Sequence, residues 1–291
     1  MRLCEFSPFD QPDSKRVGLV VVGGVVDCSR YVESKPDSLF SLLGSTYLES
    51  TSALLNRDAD YSTDEIEWLP LLADEGRVFA AGLNYEKIYP AGKQPPTPRQ
   101  PPWFSKMPGT LVGHDQPVVA PSVSESFDYE AELAAVLGRG GRHVNPDDAL
   151  GLVAGWTCLN DGSVREWQRH SVNAGKNFDR SGSIGPYMVT ADEIDDPQNL
   201  RLMARVDGEA RQDANTSEML FSTAEIISYL SKIIELRPGD VIATGSPEGT
   251  GGSFDPPKFL KPGQVLEIEI EGIGILRNSV VSEQSIAEAD A

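Results

Sequence analysis

The sequence predicts a β-rich α+β fold, and two observations carry the prediction. Segments with strand character outnumber helical ones, and the two kinds do not alternate, which argues against a doubly wound parallel sheet. From Trp103 to Val281 one clear amphipathic helix interrupts a run of strand signals. The chain has 291 residues, 40% hydrophobic and 24% charged, a balance that supplies a large core.

In chain order, residues 18 to 31 read as a hairpin, two β-branched runs broken at Gly23-Gly24. Residues 37 to 56 carry leucines at spacings that suggest one or two short helices. A new apolar segment starts at Arg77, so a boundary near residue 73 divides a small N-terminal α/β domain, 1–73, from a larger domain, 74–291. The stretch 90 to 102 holds six prolines and excludes helix and inner strand; it is a stiff connection or a lid. Strands are then expected at 110–119, 127–137, 152–159, 201–206, 240–244, 265–270 and 273–281. Ser222 and Glu225 have capping-box spacing ahead of apolar Ile226, Ile227, Leu230, Ile233 and Ile234, which marks the helix; Pro238-Gly239 stops it.

The net charge of −19 excludes a basic nucleic-acid footprint. An anionic ligand would need a local cationic site against that field. No apolar run reaches the ~20 residues of a membrane span. No secretory signal is visible at the start, and the three cysteines lack metal or disulfide spacing, so a cytoplasmic location is expected.

Chemistry gathers on carboxylates. Residues 127 to 133 alternate, so Asp128, Glu130 and Glu132 share one strand face, with side chains two apart separated by roughly 6.5–7 Å. A wet acidic strand face is the bland alternative. Asp161 ends a continuous apolar run, 151 to 161, that reads as a buried strand. Neighbouring carboxylates repel, and a cation relieves them; an all-oxygen set selects Mg²⁺, Mn²⁺ or Ca²⁺ over zinc. The glycine-rich stretch 244 to 252 lacks the Gly-Lys-Ser/Thr ending of a phosphate loop. Its backbone N–H groups and the Ser246 hydroxyl would suit an oxyanion; a plain turn is the alternative. Arg165 and Gln168 follow Asp161 at helical spacing if Ser163 opens a short helix.

Six landmarks in order make a resemblance: Ala81-Gly-Leu-Asn-Tyr, Asp128-Tyr-Glu-Ala-Glu-Leu-Ala, Asn160-Asp-Gly-Ser-Val-Arg-Glu-Trp-Gln, Gly175-Lys-Asn-Phe-Asp, Arg211-Gln-Asp-Ala-Asn-Thr-Ser and Thr244-Gly-Ser-Pro-Glu-Gly-Thr-Gly. The chain resembles the fumarylacetoacetate hydrolase family across nearly all of residues 77 to 281. The resemblance implies a mixed β-sandwich roll, a homodimer and a Mg²⁺-type ion on Glu130, Glu132 and Asp161. It implies a small anionic 2-oxo or 2,4-dioxo acid as substrate, contacted by Tyr85, Arg165, Gln168, Lys176 and Ser246. Lys176 would sit beside the metal and serve catalysis. Hydrolases and decarboxylases of the family carry a His and a Glu where this chain has Ile88 and Ala91. Glu86 and His170 are the substitutes expected to move protons. An acylpyruvate-type hydrolase is the first expectation. Decarboxylation, dehydration or oxo-enol isomerisation, which need no attacking water, are the alternatives, beside an inactive metal-binding paralogue.

Overall fold

The computed structural model describes residues 1–43, 47–72, 75–86 and 96–289. The boundary near residue 73 and positions Ile88 and Ala91 lie outside the described residues, as does the first part of the proline-rich stretch. Strands dominate, as the pattern predicts, and they form two main sheets. The larger one runs, edge to edge, Gly24–Asp27, Arg16–Val21, Arg2–Pro8, Gly182–Thr190, Val153–Asn160, Ala131–Leu137, Val241–Ala243, Val78–Ala81 and Trp103–Lys106. Its hairpin, Arg16–Val21 with Gly24–Asp27, turns where the sequence places Gly23 and Gly24. The smaller sheet orders Glu209–Asn215, Arg201–Val206, Val265–Ile270, Gly274–Ser282 and Val118–Ala120.

The Ala131–Leu137 strand is buried along its whole length because both faces of its sheet are covered. Leu133 and Ala135 face a core shared with Leu202, Ala204, Ile268 and Leu276 of the smaller sheet. Ala134 and Val136 face a second core, with Leu3, Leu19, Leu39 and Leu71 of the N-terminal segment. The period of two therefore sorts side chains between two cores, and the wet acidic face does not exist.

Three differences from the sequence pattern have physical causes. The expected strand 127–137 is interrupted at Tyr129–Glu130: Phe127–Asp128 pairs with Ser163–Val164, whereas Ala131–Leu137 pairs with Val153–Asn160 and Val241–Ala243. There side chains replace ladder partners, since Tyr129 N–H donates to Asp128 Oδ1 (2.9 Å) and Glu130 N–H to Asn160 Oδ1 (3.2 Å). The central strand Gly182–Thr190 escapes the pattern because Gly182, Gly185 and Pro186 read as turn residues. Gly185 and Pro186 fit where the register against Val153–Asn160 shifts between Trp156 and Cys158. Finally, Ser163 opens a two-residue strand, not a helix, and a 3₁₀ turn at Trp167–Arg169 follows it. The helix Thr223–Ile233 forms as expected, with Ser222 and Glu225 closing a capping box.

Candidate active site

One oxygen from each of Glu130, Glu132 and Asp161 lies within 4.8 Å of the others, and all three residues are buried. Two paired strands bring them together. Glu132 is in Ala131–Leu137, Asp161 ends Val153–Asn160, and the Asp161 N–H donates to the Glu130 carbonyl at 2.9 Å. Gly162 makes the turn after Asp161 feasible, because a Cβ there would meet the Ser181 carbonyl oxygen at 1.7 Å.

Cations answer these carboxylates. Lys176 Nζ donates to Glu130 Oε2 (2.7 Å) and Asp161 Oδ2 (2.5 Å). Its segment reads as polar, yet Lys176 is buried, at 3% exposure, at the end of the helix Val172–Lys176. Burial works against its charge, but the Asp161 and Glu130 carboxylates outweigh that and hold its pKa above the ordinary value. A second buried lysine, Lys106, donates to Asp161 Oδ1 (2.9 Å) and to the Lys176 carbonyl. Burial pulls its pKa down; Asp161 offsets this in part, and the neighbouring Lys176 adds to the fall. Arg165 binds Asp128 Oδ2 through Nε and Glu130 Oε1 through Nη1, both at 2.7 Å, and its Nη1 also donates to Gln168 Oε1 at 3.3 Å. Burial opposes its charge too, but Asp128 and Glu130 raise its pKa.

Glu130, Arg165, Gln168, Lys176 and Ser246 line one cavity of about 300 Å³, walled on its apolar side by Trp103 and Phe104. Two larger cavities, about 590 and 570 Å³, hold none of these residues, and chemistry favours the smaller one. Tyr85 is buried near Glu132; burial first, then Glu132, pushes its hydroxyl pKa up. Glu86 is exposed, next to residues outside the description. His170 is exposed on the 3₁₀ turn, edge-on to Trp167 at 4.9 Å, and does not line the cavity.

The loop 244–252 differs from the expected nest, since four of its N–H groups are already engaged, that of Thr244 by the Leu133 carbonyl at 3.0 Å. Gly245 N–H donates to Glu132 Oε2 (2.8 Å), and those of Gly251 and Gly252 donate to Asp128 (2.6 and 2.9 Å). Asp128, expected only to share a strand face with Glu130 and Glu132, is the tie between this loop and Arg165. Sequence reasoning gave no role to Lys106, and none to Asp128 or Gln212 although both lie in quoted landmarks, because their partners are distant in the chain.

A divalent ion fits the residues present. Glu132 Oε1 is buried with no hydrogen-bond partner among the described residues, and so is Arg165 Nη2. Burial, then Asp161 and Glu130, hold the Glu132 pKa well above the ordinary carboxylate value. All three donors are carboxylate oxygens, the set a hard cation takes.

Residues 77–281 match the profile of the fumarylacetoacetate (FAA) hydrolase C-terminal domain. The chain belongs to that family. A relative from Xenopus laevis, named oxaloacetate tautomerase fahd2, mitochondrial, is 36% identical, with 97% of this chain and 90% of that protein covered. The fumarylacetoacetate hydrolase from Exiguobacterium antarcticum superposes with a TM-score of 0.80 at 32% identity, covering 97% of this chain and 100% of that one. Maleylpyruvate hydrolase from Sphingobium sp. SYK-6, solved with manganese(II) and pyruvate, gives 0.79 at 27% identity, covering 97% and 99%. The protein is therefore a fumarylacetoacetate hydrolase family enzyme with an acidic triad able to hold a divalent metal, in a family whose reactions differ. The cytoplasmic location expected from the cysteines is corrected by relatives from Xenopus laevis, Bos taurus and Homo sapiens, all named mitochondrial.

Proposed function

We propose that this enzyme interconverts the keto and enol forms of a small 2-oxo dicarboxylic acid of the oxaloacetate type. Glu130, Glu132 and Asp161 would hold Mg²⁺ or Mn²⁺. A bound ion of this kind supplies Lewis acidity to a chelating 2-oxo acid. The supporting observation is the composition of the cavity, where the Glu130 carboxylate meets Arg165, Lys176, Gln168 and Ser246, with no histidine among its described lining residues. Such a wall polarises a carbonyl and steadies an enolate, but offers no imidazole to activate water.

Lys176 keeps its proton at Nζ and donates to the oxygen on which negative charge develops. Arg165, already oriented by Asp128 and Glu130, has Nη2 free for a substrate carboxylate, with Gln168 beside it. Trp103 and Phe104 exclude water from the apolar side. We assign proton transfer at carbon to Glu86, which lies three residues past the cavity-lining Leu83. The likeness to maleylpyruvate hydrolase supports a second reading, carbon–carbon hydrolysis of an acylpyruvate.

One experiment separates the two. Oxaloacetate enol is diluted into buffer with Mg²⁺ and its absorbance decay followed, while acylpyruvate cleavage is assayed in parallel. The proposal expects accelerated decay that falls in Glu86→Gln and survives in His170→Ala, with little cleavage. Cleavage at 1–10³ s⁻¹, the ordinary enzyme range, with unaccelerated enol decay would establish the hydrolase instead.

A further inference from the structure

Gln212 is 1% exposed, on the Glu209–Asn215 strand, and every polar atom of its amide is engaged. Oε1 accepts the Ala131 N–H at 3.0 Å. Nε2 donates to the Pro247 carbonyl and to Ser246 Oγ, both at 2.9 Å, and lies 3.5 Å from the Glu248 carbonyl. These partners leave the amide only one orientation. A backbone N–H can only donate, so Oε1 must face Ala131; a carbonyl can only accept, so Nε2 must face Pro247. It follows that Ser246 Oγ accepts from Gln212.

That fixes the serine proton. With its oxygen committed as acceptor to Gln212, the Ser246 O–H has no acceptor among the described residues, while Ser246 lines the cavity at 3% exposure. The dipoles run in one sense, from Ala131 N–H through the Gln212 amide to Ser246 O–H, each bond strengthening the next. Ala131 lies between Glu130 and Glu132, so the strand that presents those carboxylates also anchors the amide. The backbone N–H of Gly245, the other donor nearby, is engaged by Glu132.

We propose that Gln212 is a positioning residue that makes Ser246 a committed hydrogen-bond donor to an anionic oxygen of the ligand. This rests on the enolisation reading of the cavity and adds to it the group that orients the hydroxyl. Ser246 alone would rotate between donating and accepting. Locked by Gln212, it favours ligands whose oxygen at that place carries negative charge.

The test uses oxalate, a planar dianion shaped like a pyruvate enolate, titrated calorimetrically into the Mn²⁺-loaded protein. Ser246→Ala should weaken oxalate binding roughly ten- to a hundredfold, the worth of a hydrogen bond to a charged group. Gln212→Met, which keeps volume and loses both polar atoms, should weaken it several-fold in the Ser246 background and not at all in the Ser246→Ala background. Affinity for Mn²⁺ alone should be the same in every variant. Equal loss from Gln212→Met in both backgrounds overturns the proposal, because the glutamine then acts through general packing. Unchanged oxalate affinity in Ser246→Ala overturns it as well, whether or not Gln212→Met folds. A wild-type protein that binds Mn²⁺ but not oxalate would defeat the enolisation reading itself, an outcome distinct from both.

Discussion

Glu132 is the residue on which the site turns. One of its oxygens accepts the Gly245 N–H and the other has no hydrogen-bond partner among the described residues. Glu132→Gln keeps an acceptor for Gly245 and removes the charge, so the fold should survive while stoichiometric Mn²⁺ binding disappears from calorimetry. Unchanged affinity would mean that the ion sits elsewhere. The triad was legible because Glu130 and Glu132 are neighbours on one strand and Asp161 ends an apolar run. Lys106 was not, since its partner Asp161 is 55 residues away. The tie from Asp128 to Gly251 spans 123 residues and the bond from Gln212 to Ala131 spans 81. A charge in an apolar strand looks the same in sequence whether it is exposed or paired through tertiary contact.

At the scale of elements, the loop 244–252 is held from beneath. Tyr129 donates its hydroxyl to the Gly249 carbonyl at 2.9 Å, and Glu132, Gln212 and Asp128 bind neighbouring backbone and side-chain groups. Asp128 also fixes Arg165, so one carboxylate couples the loop to the cation facing the cavity. A Cβ at Gly251 would come within 2.7 Å of Asp128 Oδ1, which explains glycine there. In Asp128→Asn an amide N–H₂ must face one of these donors. The variant should lose about 3–5 kcal/mol of stability in denaturant unfolding, the cost of breaking a buried charge pair, and be cut faster by protease near residues 251–256. Resistance equal to wild type would show that the loop stands without this tie. The sequence pattern located most strands but ran 127–137 as one, because alternation continues through Tyr129–Glu130 where the backbone changes partners.

The whole molecule carries three free thiols, all buried. Burial pushes the Cys28 and Cys158 pKa values from the ordinary 9.0 to about 12. The unfolded chain therefore releases these protons first as pH rises. Their stabilising effect is intact below about pH 9 and is lost as pH climbs towards 12, by up to about 1.4 kcal/mol per pH unit for each thiol. Urea midpoints taken between pH 8 and 10.5 should fall, and Cys158→Ala should flatten the fall; identical slopes would contradict this. We also propose a two-fold homodimer, since the family resemblance implies one. Light scattering at micromolar concentration should give twice the 31.5 kDa chain mass, and a monomer would count against it. The fold class was visible at this scale, because strand-rich patterning does not depend on knowing which strands pair.

The central claim is that the triad and Lys176 together make an enolising centre. Deuterium uptake at the carbon next to the ketone reports enolisation whatever bond chemistry follows. The measurement is proton NMR of 2-oxoglutarate and related 2-oxo dicarboxylic acids in D₂O with Mg²⁺, comparing wild type with Glu132→Gln and Lys176→Met. The account predicts metal-dependent loss of the C3 proton signal in the wild type, at least ~100-fold faster than in either variant, the low end of what one group stabilising the developing oxyanion contributes. Exchange in the wild type no faster than in Glu132→Gln, with Mg²⁺ bound, would contradict it.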